Sequence, residues 1–127
     1  MLRTEEKKFY ADTVWGASKL SRCSIQRGAL LVKGGYILTY GYNQKIVQSK
    51  DYELSAICKT MFEARDLDLS GSALFSTYFP PLEDMKLIIS FRVPTVYFFG
   101  KVDDPYAVEL TNKTAQEGLT LQLVQLK

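Results

Sequence analysis

Reactive side chains are scarce in this chain of 127 residues. It contains no histidine, which excludes every mechanism that needs an imidazole of this chain as acid, base or metal ligand. The two cysteines, Cys23 and Cys58, are far apart and form no Cys-x-x-Cys pair. Cys58 falls on the apolar side of a predicted helix, where buried packing is expected. Cys23 could be exposed, but no basic cluster lies nearby in the sequence to activate its thiol.

The composition indicates an ordinary globular protein. Hydrophobic residues make up 46% of the chain, charged residues 24% and aromatic residues 13%. These proportions predict one domain over residues 1–127 and exclude intrinsic disorder. The net charge of +2 does not indicate a nucleic-acid or membrane surface. No apolar run approaches the roughly 20 residues of a membrane span, and the start MLRTEEKKFY is unlike a signal peptide, so we expect a cytoplasmic protein.

Helical and β patterns alternate along the chain. Apolar residues at helical spacing predict helices over 2–20, 53–65, 82–90 and 106–116, and β-rich runs predict strands over 29–32, 36–42, 73–79, 95–100 and 119–126. The Gly34–Gly35 pair predicts a hairpin between the first two strands, and Gly16 within the first helix indicates close packing there. This order predicts an α/β fold of three layers. A five-stranded mixed sheet, antiparallel in its opening hairpin and then parallel, lies between helices.

Six short sequence words occur in an order and spacing typical of a known superfamily. They are 41–43 (GYN, closing the hairpin), 51–57 (DYELSAI), 71–77 (GSALFST), 80–89 (PPLEDMKLII), 92–97 (RVPTVY) and 117–119 (EGL). Together they resemble the cytidine and deoxycytidylate deaminase superfamily, which also includes the tRNA adenosine deaminases. The resemblance covers most of the chain and implies the same α/β architecture.

The resemblance fails at the residues that carry the chemistry. The superfamily signature is H-x-E…P-C-x-x-C, in which a histidine and two cysteines bind zinc while the glutamate transfers protons. At the matching positions this chain has Asp51, Glu53, Pro81 and Asp84. Proline has no side-chain donor atom, and carboxylates replace thiolate and imidazole ligands of Zn²⁺ poorly. The resemblance therefore implies a vestigial site without zinc, and we predict that the chain cannot perform zinc-dependent deamination.

The acidic residues of this site also have structural explanations. Glu53 and Asp84 suit the first turn of a helix, and Asp51 suits an N-cap. Alternatively, Asp51, Glu53 and Asp84 converge and bind a hard cation such as Mg²⁺ or a basic side chain of a partner. Glu53 could also keep a role in binding the amino group of a base.

Two further residues match substrate-binding positions of the superfamily. Asn43 matches a residue that hydrogen-bonds the substrate's sugar, or it is a turn residue with left-handed backbone. Tyr52 replaces a small residue of the superfamily. We predict that its phenol fills the former base pocket, and the alternative is that it stacks on a base.

We expect a catalytically inactive deaminase-like protein that serves as a binding or assembly module, for example as a non-catalytic subunit. Its partners would be further copies of itself or a related chain, because superfamily members commonly assemble through the helices around the site. One alternative is a nucleotide-binding sensor without turnover. Another is a related hydrolase that uses a different metal.

Overall fold

The computed structural model describes residues 2–47 and 52–127. Within these ranges the helices are α1 (Thr4–Ser18), α2 (Ala56–Glu63), α3 (Leu82–Ser90) and α4 (Pro105–Gln116). The strands are β1 (Gly28–Lys33), β2 (Tyr36–Tyr42), β3 (Gln44–Lys45), β4 (Glu53–Leu54), β5 (Ala73–Ser76), β6 (Thr95–Phe98) and β7 (Gln122–Gln125). None of the described helices has the length and apolarity needed to cross a bilayer.

Five strands form one mixed sheet in the order β2-β1-β5-β6-β7. Strand β1 is antiparallel to both of its neighbours, β2 and β5, while β5, β6 and β7 run parallel. This arrangement confirms the predicted α/β fold with its antiparallel opening hairpin. The hairpin turn is confirmed as well, because Gly34 and Gly35 have φ angles of 60° and 83°, which glycine adopts without steric cost.

Apolar residues cover both faces of the sheet at its central strands β1, β5 and β6, whose residues are almost all buried. On one face, α2, α3 and α4 close a large cluster that includes Ile57, Met85 and Leu74. On the other face, α1 packs Tyr10 and Val14 against a smaller cluster around the sheet. The sheet is therefore the middle of three layers, and the loops at its ends hold the candidate site.

The start of α2 differs from the prediction. The helix begins at Ala56, with Ser55 as its N-cap, and not at Glu53. Glu53 and Leu54 instead form β4, which pairs antiparallel with β3. A serine hydroxyl that accepts a backbone N–H is a strong helix start, and it overrides the apolar periodicity that extends further back.

The close packing predicted at Gly16 is wrong. A Cβ added at Gly16 would meet nothing within 4 Å. The close approach occurs at Gly28, where a Cβ would lie 2.6 Å from the Val14 carbonyl oxygen and 2.8 Å from the Ser18 backbone nitrogen. The glycine that allows α1 to pack closely against the sheet is therefore Gly28, the first residue of β1, and not Gly16 in the helix.

Candidate functional site

Asp84 lies in the first turn of α3, as predicted, but it is not a solvated helix-end charge. Its residue is only 4% exposed. One carboxylate oxygen accepts a hydrogen bond from the Ser55 hydroxyl at 2.7 Å, and the other accepts one from the Tyr78 hydroxyl at 2.9 Å. Both oxygens of this buried carboxylate are thus engaged by hydroxyl groups of the same chain.

The two hydroxyl groups also hold the start of α2. The Ser55 hydroxyl accepts the backbone N–H of Cys58 at 2.9 Å, and the Tyr78 hydroxyl accepts that of Ile57 at 3.2 Å. These are helix-end donors that would otherwise have no intrahelical partner. The Ser55–Asp84–Tyr78 network therefore joins the N-terminal ends of α2 and α3.

Burial sets the electrostatics of this network. Desolvation raises the pKa of Asp84, while the hydrogen bonds from Ser55 and Tyr78 and the charge of Arg27 partly oppose that rise. Desolvation, followed by the charge of Asp84, raises the pKa of Tyr78 far above its ordinary value, so the phenol stays neutral and donates. The Arg27 guanidinium lies 4.7 Å from the centre of the Tyr78 ring, a cation–π distance.

Both cysteines lie in unreactive surroundings. Desolvation raises the pKa of the half-buried Cys58 thiol, and the nearby Asp84 charge raises it further. Cys23 is buried, contrary to the exposure considered for it, and its sulfur lies 3.7 Å from the Asn43 carbonyl oxygen. The raised pKa of Cys58 and the burial of Cys23 both argue against a nucleophilic thiol.

Asn43 is a buried support for the loop before β1. Its side-chain amide donates to the Ile25 carbonyl at 2.7 Å and to the Glu53 carboxylate at 3.0 Å. Its side-chain oxygen accepts the Arg27 backbone N–H at 2.9 Å. The left-handed backbone considered for it is wrong, because among described residues other than glycine only Arg92 has a positive φ. Its predicted contact with a sugar stays a prediction.

Glu53 does not lie at a helix end, so the helix-dipole explanation for it is wrong. It occupies β4, two residues before the N-cap of α2, and its carboxylate is exposed apart from the Asn43 bond. Tyr52 is 62% exposed, which contradicts the prediction that it fills a pocket. The buried phenol of this region is that of Tyr78. The predicted site residue Asp51 lies outside the described residues, and Ser55 fills the N-cap position proposed for it.

The fold and this geometry can be compared with known proteins. No model of a known protein family matches the sequence. No functionally characterised protein matches it at the level of sequence either. Solved structures do match it in three dimensions, and those considered below are deaminases.

A dCMP deaminase from the cyanophage S-TIM5, in apo form, superimposes with a TM-score of 0.81 over 98% of this chain and 100% of that chain, at 23% identity. The chain has the cytidine and deoxycytidylate deaminase fold. The same enzyme in complex with dCMP and dUMP gives 0.81 at 22% identity, over 99% and 100% of the two chains.

Deaminases of lower identity share this fold as well. A structure from a study of tRNA:A34 deaminases at the wobble position gives a TM-score of 0.65 at 15% identity, over 98% of each chain. A cytidine deaminase from Burkholderia pseudomallei gives 0.52 at 17% identity, over 70% of this chain and 79% of that chain. At these identities the likeness establishes the architecture, and the site has to be judged from this chain's own residues.

At the signature positions that the structure describes, the side chains do not suit a zinc ion. Pro81, the N-cap of α3, has no side-chain donor atom, and Asp84 already has both oxygens in hydrogen bonds. Within residues 2–47 and 52–127, no three His, Cys, Asp or Glu side chains are close enough to share a metal ion. Glu53 and Asp84 bind different partners, so the described residues do not show the predicted convergence of carboxylates.

Ser55 and Tyr78 were missed as site residues by reasoning from the sequence. A serine directly before an apolar helical run is an N-cap signal, which could have identified Ser55. Tyr78 follows the buried strand β5 and precedes the Pro80–Pro81 pair, at the edge of the sheet where parallel strands end. That position favours a site, but nothing in the sequence links its hydroxyl to Asp84.

Proposed function

We propose that the protein is a catalytically inactive member of the deaminase fold that works as a binding or assembly module, as a non-catalytic subunit does. The observation that carries this proposal is the Asp84 carboxylate, buried and engaged through both oxygens by Ser55 and Tyr78. It takes the position that a zinc-binding cysteine has in the superfamily signature.

The chemistry of hydrolytic deamination supports the proposal. Attack on the base requires a hydroxide at neutral pH, and zinc supplies it in this superfamily by lowering the pKa of bound water. A catalytic zinc keeps three protein ligands, and neither Pro81 nor the hydrogen-bonded Asp84 suits that role. The rest of the protein has a packed core, so it retains the shape and the surface that binding or assembly requires.

The test is an assay paired with metal analysis of the full-length protein. The purified protein is incubated with dCMP, cytidine and a tRNA substrate, with an active dCMP deaminase in parallel, and products are separated by chromatography. We expect no product above the buffer control and no stoichiometric zinc by mass spectrometry. Turnover that disappears with a chelator and returns with zinc would overturn the proposal.

Glu53→Gln serves as the matched variant in the same assay. If any weak deamination is detected, loss of it in Glu53→Gln assigns proton transfer to this residue and contradicts the proposal. We expect instead that the variant binds its partners as the unmodified protein does. In this variant the amide oxygen of glutamine can accept the hydrogen bond from Asn43 that the Glu53 carboxylate accepts in the unmodified protein.

A second candidate function is nucleotide binding without turnover. A cleft of about 430 Å³ lies beside the network, and its lining includes the cations Arg27 and Lys101 and the carboxylates Asp103 and Asp104. The two cations suit a phosphate group, and the two carboxylates suit the N–H or O–H donors of a base or sugar. Calorimetry with a panel of nucleosides and nucleotides tests this function, with Arg27→Ala as the weakened variant. No heat at ligand concentrations up to about 1 mM would remove it.

A further inference from the structure

Strand β2 forms one edge of the main sheet, and no described strand pairs with its outer side. Its sequence, YILTYGY, contains no charged residue and no proline. Tyr36 and Tyr40 are 76% and 52% exposed, and Ile37 is exposed too. Natural proteins commonly protect such an edge with lysine, proline or a covering segment, because unpaired strands recruit other chains. The last five residues of β2 include neither lysine nor proline.

The direction of the backbone groups on β2 follows from one hydrogen bond. The Asn43 backbone N–H donates to the Arg27 carbonyl at 3.2 Å, directly beyond the ladder between β2 and β1. Hydrogen-bonding direction alternates along an antiparallel strand, so Gly41 and Thr39 also direct their N–H and C=O groups towards β1. The corresponding groups of Tyr40 and Tyr42 point outward.

A groove lies along this outward side. It has a volume of about 360 Å³ and is lined by Leu38, Tyr40 and Tyr42 of β2 and by Lys59 and Glu63 of α2, with Thr39 and Gln44. The register of β2 against β1 shifts between Leu31 and Val32, which places an extra residue at Leu38 and ends the regular segment there. The regular edge therefore runs from Thr39 to Tyr42.

We infer that a second copy of this chain pairs with this edge, antiparallel, with Tyr40 of one copy opposite Tyr40 of the other. The inference deepens the proposed function, because it names the surface and the partner of the assembly. In this register the outward N–H and C=O groups of Tyr40 meet those of its counterpart in a hydrogen-bonding position, and Tyr42 lies opposite Leu38 of the other copy. The two main sheets then form one continuous sheet across a two-fold axis.

Several features favour a second copy over another partner. An antiparallel strand pair about a two-fold axis is self-complementary, since each residue contacts its counterpart under the same operation. The uncharged edge meets its copy without like-charge repulsion. The flanking Lys59 and Glu63 form an ion pair with each other at 3.1 Å, so this side of the groove brings no net charge towards a second copy.

The area of this surface suits a dimer. A standard interface buries about 800 Å² on each partner, and a fully exposed aromatic side chain offers roughly 150–250 Å². Tyr36 and Tyr40 together therefore provide a substantial fraction of one side. Ile37, the backbone of the edge and the exposed Phe62 beside Glu63 extend it. Tyr40 lies between Thr39 and Gly41, which face α2, so its ring lies on the other side of the sheet and can pair with the ring of its copy.

The first test is the mass of the protein in solution, by light scattering and sedimentation over a range of concentrations. We expect a dimer that Tyr40→Lys weakens by about tenfold or more, because two lysines then meet at the two-fold axis. Tyr106→Lys is the matched control, since Tyr106 is 68% exposed on α4, away from this edge. A monomer at all concentrations up to about 0.5 mM, or a dimer weakened only by the control, would overturn the inference.

The second test is amide hydrogen exchange on the unmodified protein, which does not depend on how well a variant folds. The N–H groups of Thr39 and Gly41 should exchange slowly at every concentration, since they bond to β1. Those of Tyr40 and Tyr42 should become slow only when the dimer forms. A dimer in which Tyr40 exchanges at the same rate as in the monomer contradicts strand pairing.

These outcomes separate the two proposals. A monomer that shows no deaminase activity overturns the strand pairing and leaves the proposed loss of catalysis intact. A dimer that deaminates dCMP overturns the proposed function and leaves the pairing intact.

Discussion

The Ser55 hydroxyl donates a hydrogen bond of 2.7 Å to Asp84 and so links the cap of α2 to the first turn of α3. In the deaminase superfamily the signature residues near the starts of the corresponding helices bind zinc together. In this chain hydrogen bonds between hydroxyl and carboxylate groups join the two helix ends. The stability of the protein should therefore depend on these side chains.

The first prediction concerns the charge of Asp84. Because burial raises its pKa in the folded protein, the folded state binds a proton more readily than the unfolded chain does. Folding should gain stability from Asp84 as the pH falls from neutral through its folded pKa towards the unfolded value of about 3.9. The gain should be absent in Asp84→Asn, which does not titrate.

The measurement is urea unfolding of both proteins between pH 7 and pH 4. At pH 7 we expect Asp84→Asn to be less stable by about 1–3 kcal/mol, because the amide –NH₂ that replaces one carboxylate oxygen cannot accept the hydrogen bond of its hydroxyl. The difference between the two proteins should widen on acidification. A difference that shrinks as the pH falls would mean that the folded state stabilises the ionised carboxylate.

The second prediction concerns the Tyr78 hydroxyl. Tyr78→Phe leaves the Ile57 N–H and one Asp84 oxygen without their partner, and both groups are buried. We expect a loss of about 1–3 kcal/mol in the free energy of unfolding. Tyr10→Phe is the control, since Tyr10 is equally buried but its hydroxyl has no hydrogen-bond partner among the described residues. An equal loss in both variants would show that the network contributes nothing beyond packing.

The strands and most helices could be predicted from the sequence, because the spacing of apolar residues reflects which side of each element is buried. Strand β2 and helix α3 have the predicted boundaries, 36–42 and 82–90. The error at α2 has a local cause. Ser55 caps the helix. Glu53 pairs with Lys45 in a short antiparallel pair of strands, and the sequence there shows no alternation of apolar and polar residues that would predict it. Backbone hydrogen bonds form such a pair, so the pattern of apolar and polar side chains does not predict it.

The site was less predictable because its contacts are between distant residues. Ser55 and Asp84 are 29 positions apart, and Asn43 and Arg27 are 16 apart. An aspartate at the start of a helix is usually explained by the helix dipole, and only the folded chain shows that Asp84 is buried. The exposure of Tyr52 could not be deduced either, since its neighbours are set by the β3–β4 pair.

The third prediction uses two glycines as a matched pair. Gly16→Ala should raise the free energy of unfolding by about 1 kcal/mol, because alanine favours the helix and the site is open. Gly28→Ala should lower it by about 1–3 kcal/mol, because the new methyl group would collide with the backbone of α1. Denaturant unfolding of the two variants measures both changes. Destabilisation by Gly16→Ala would indicate a contact on that side of α1.

The last prediction concerns Asp104, which caps two helices at once. One of its carboxylate oxygens accepts the N–H groups of Tyr106 and Ala107 in α4, and the other accepts that of Leu82 at 2.9 Å in α3. Pro81, the N-cap of α3, provides no side-chain cap of its own. These bonds, first of all the one from Leu82, lower the pKa of Asp104. Its contribution to stability is therefore present above the unfolded pKa and is lost as the pH falls through the lower folded pKa.

Asp104→Ala should thus lower the Tm at neutral pH, and the difference from the unmodified protein should shrink only below about pH 4. Asp103→Ala is the control, because it removes a neighbouring carboxylate that caps neither helix among the described residues. Thermal melts followed by circular dichroism at several pH values measure both effects. Asp104→Asn should recover part of the loss at neutral pH, since asparagine is also a good N-cap but offers one acceptor oxygen in place of two. Equal melting temperatures for the two alanine variants would show that Asp104 acts only as a surface charge.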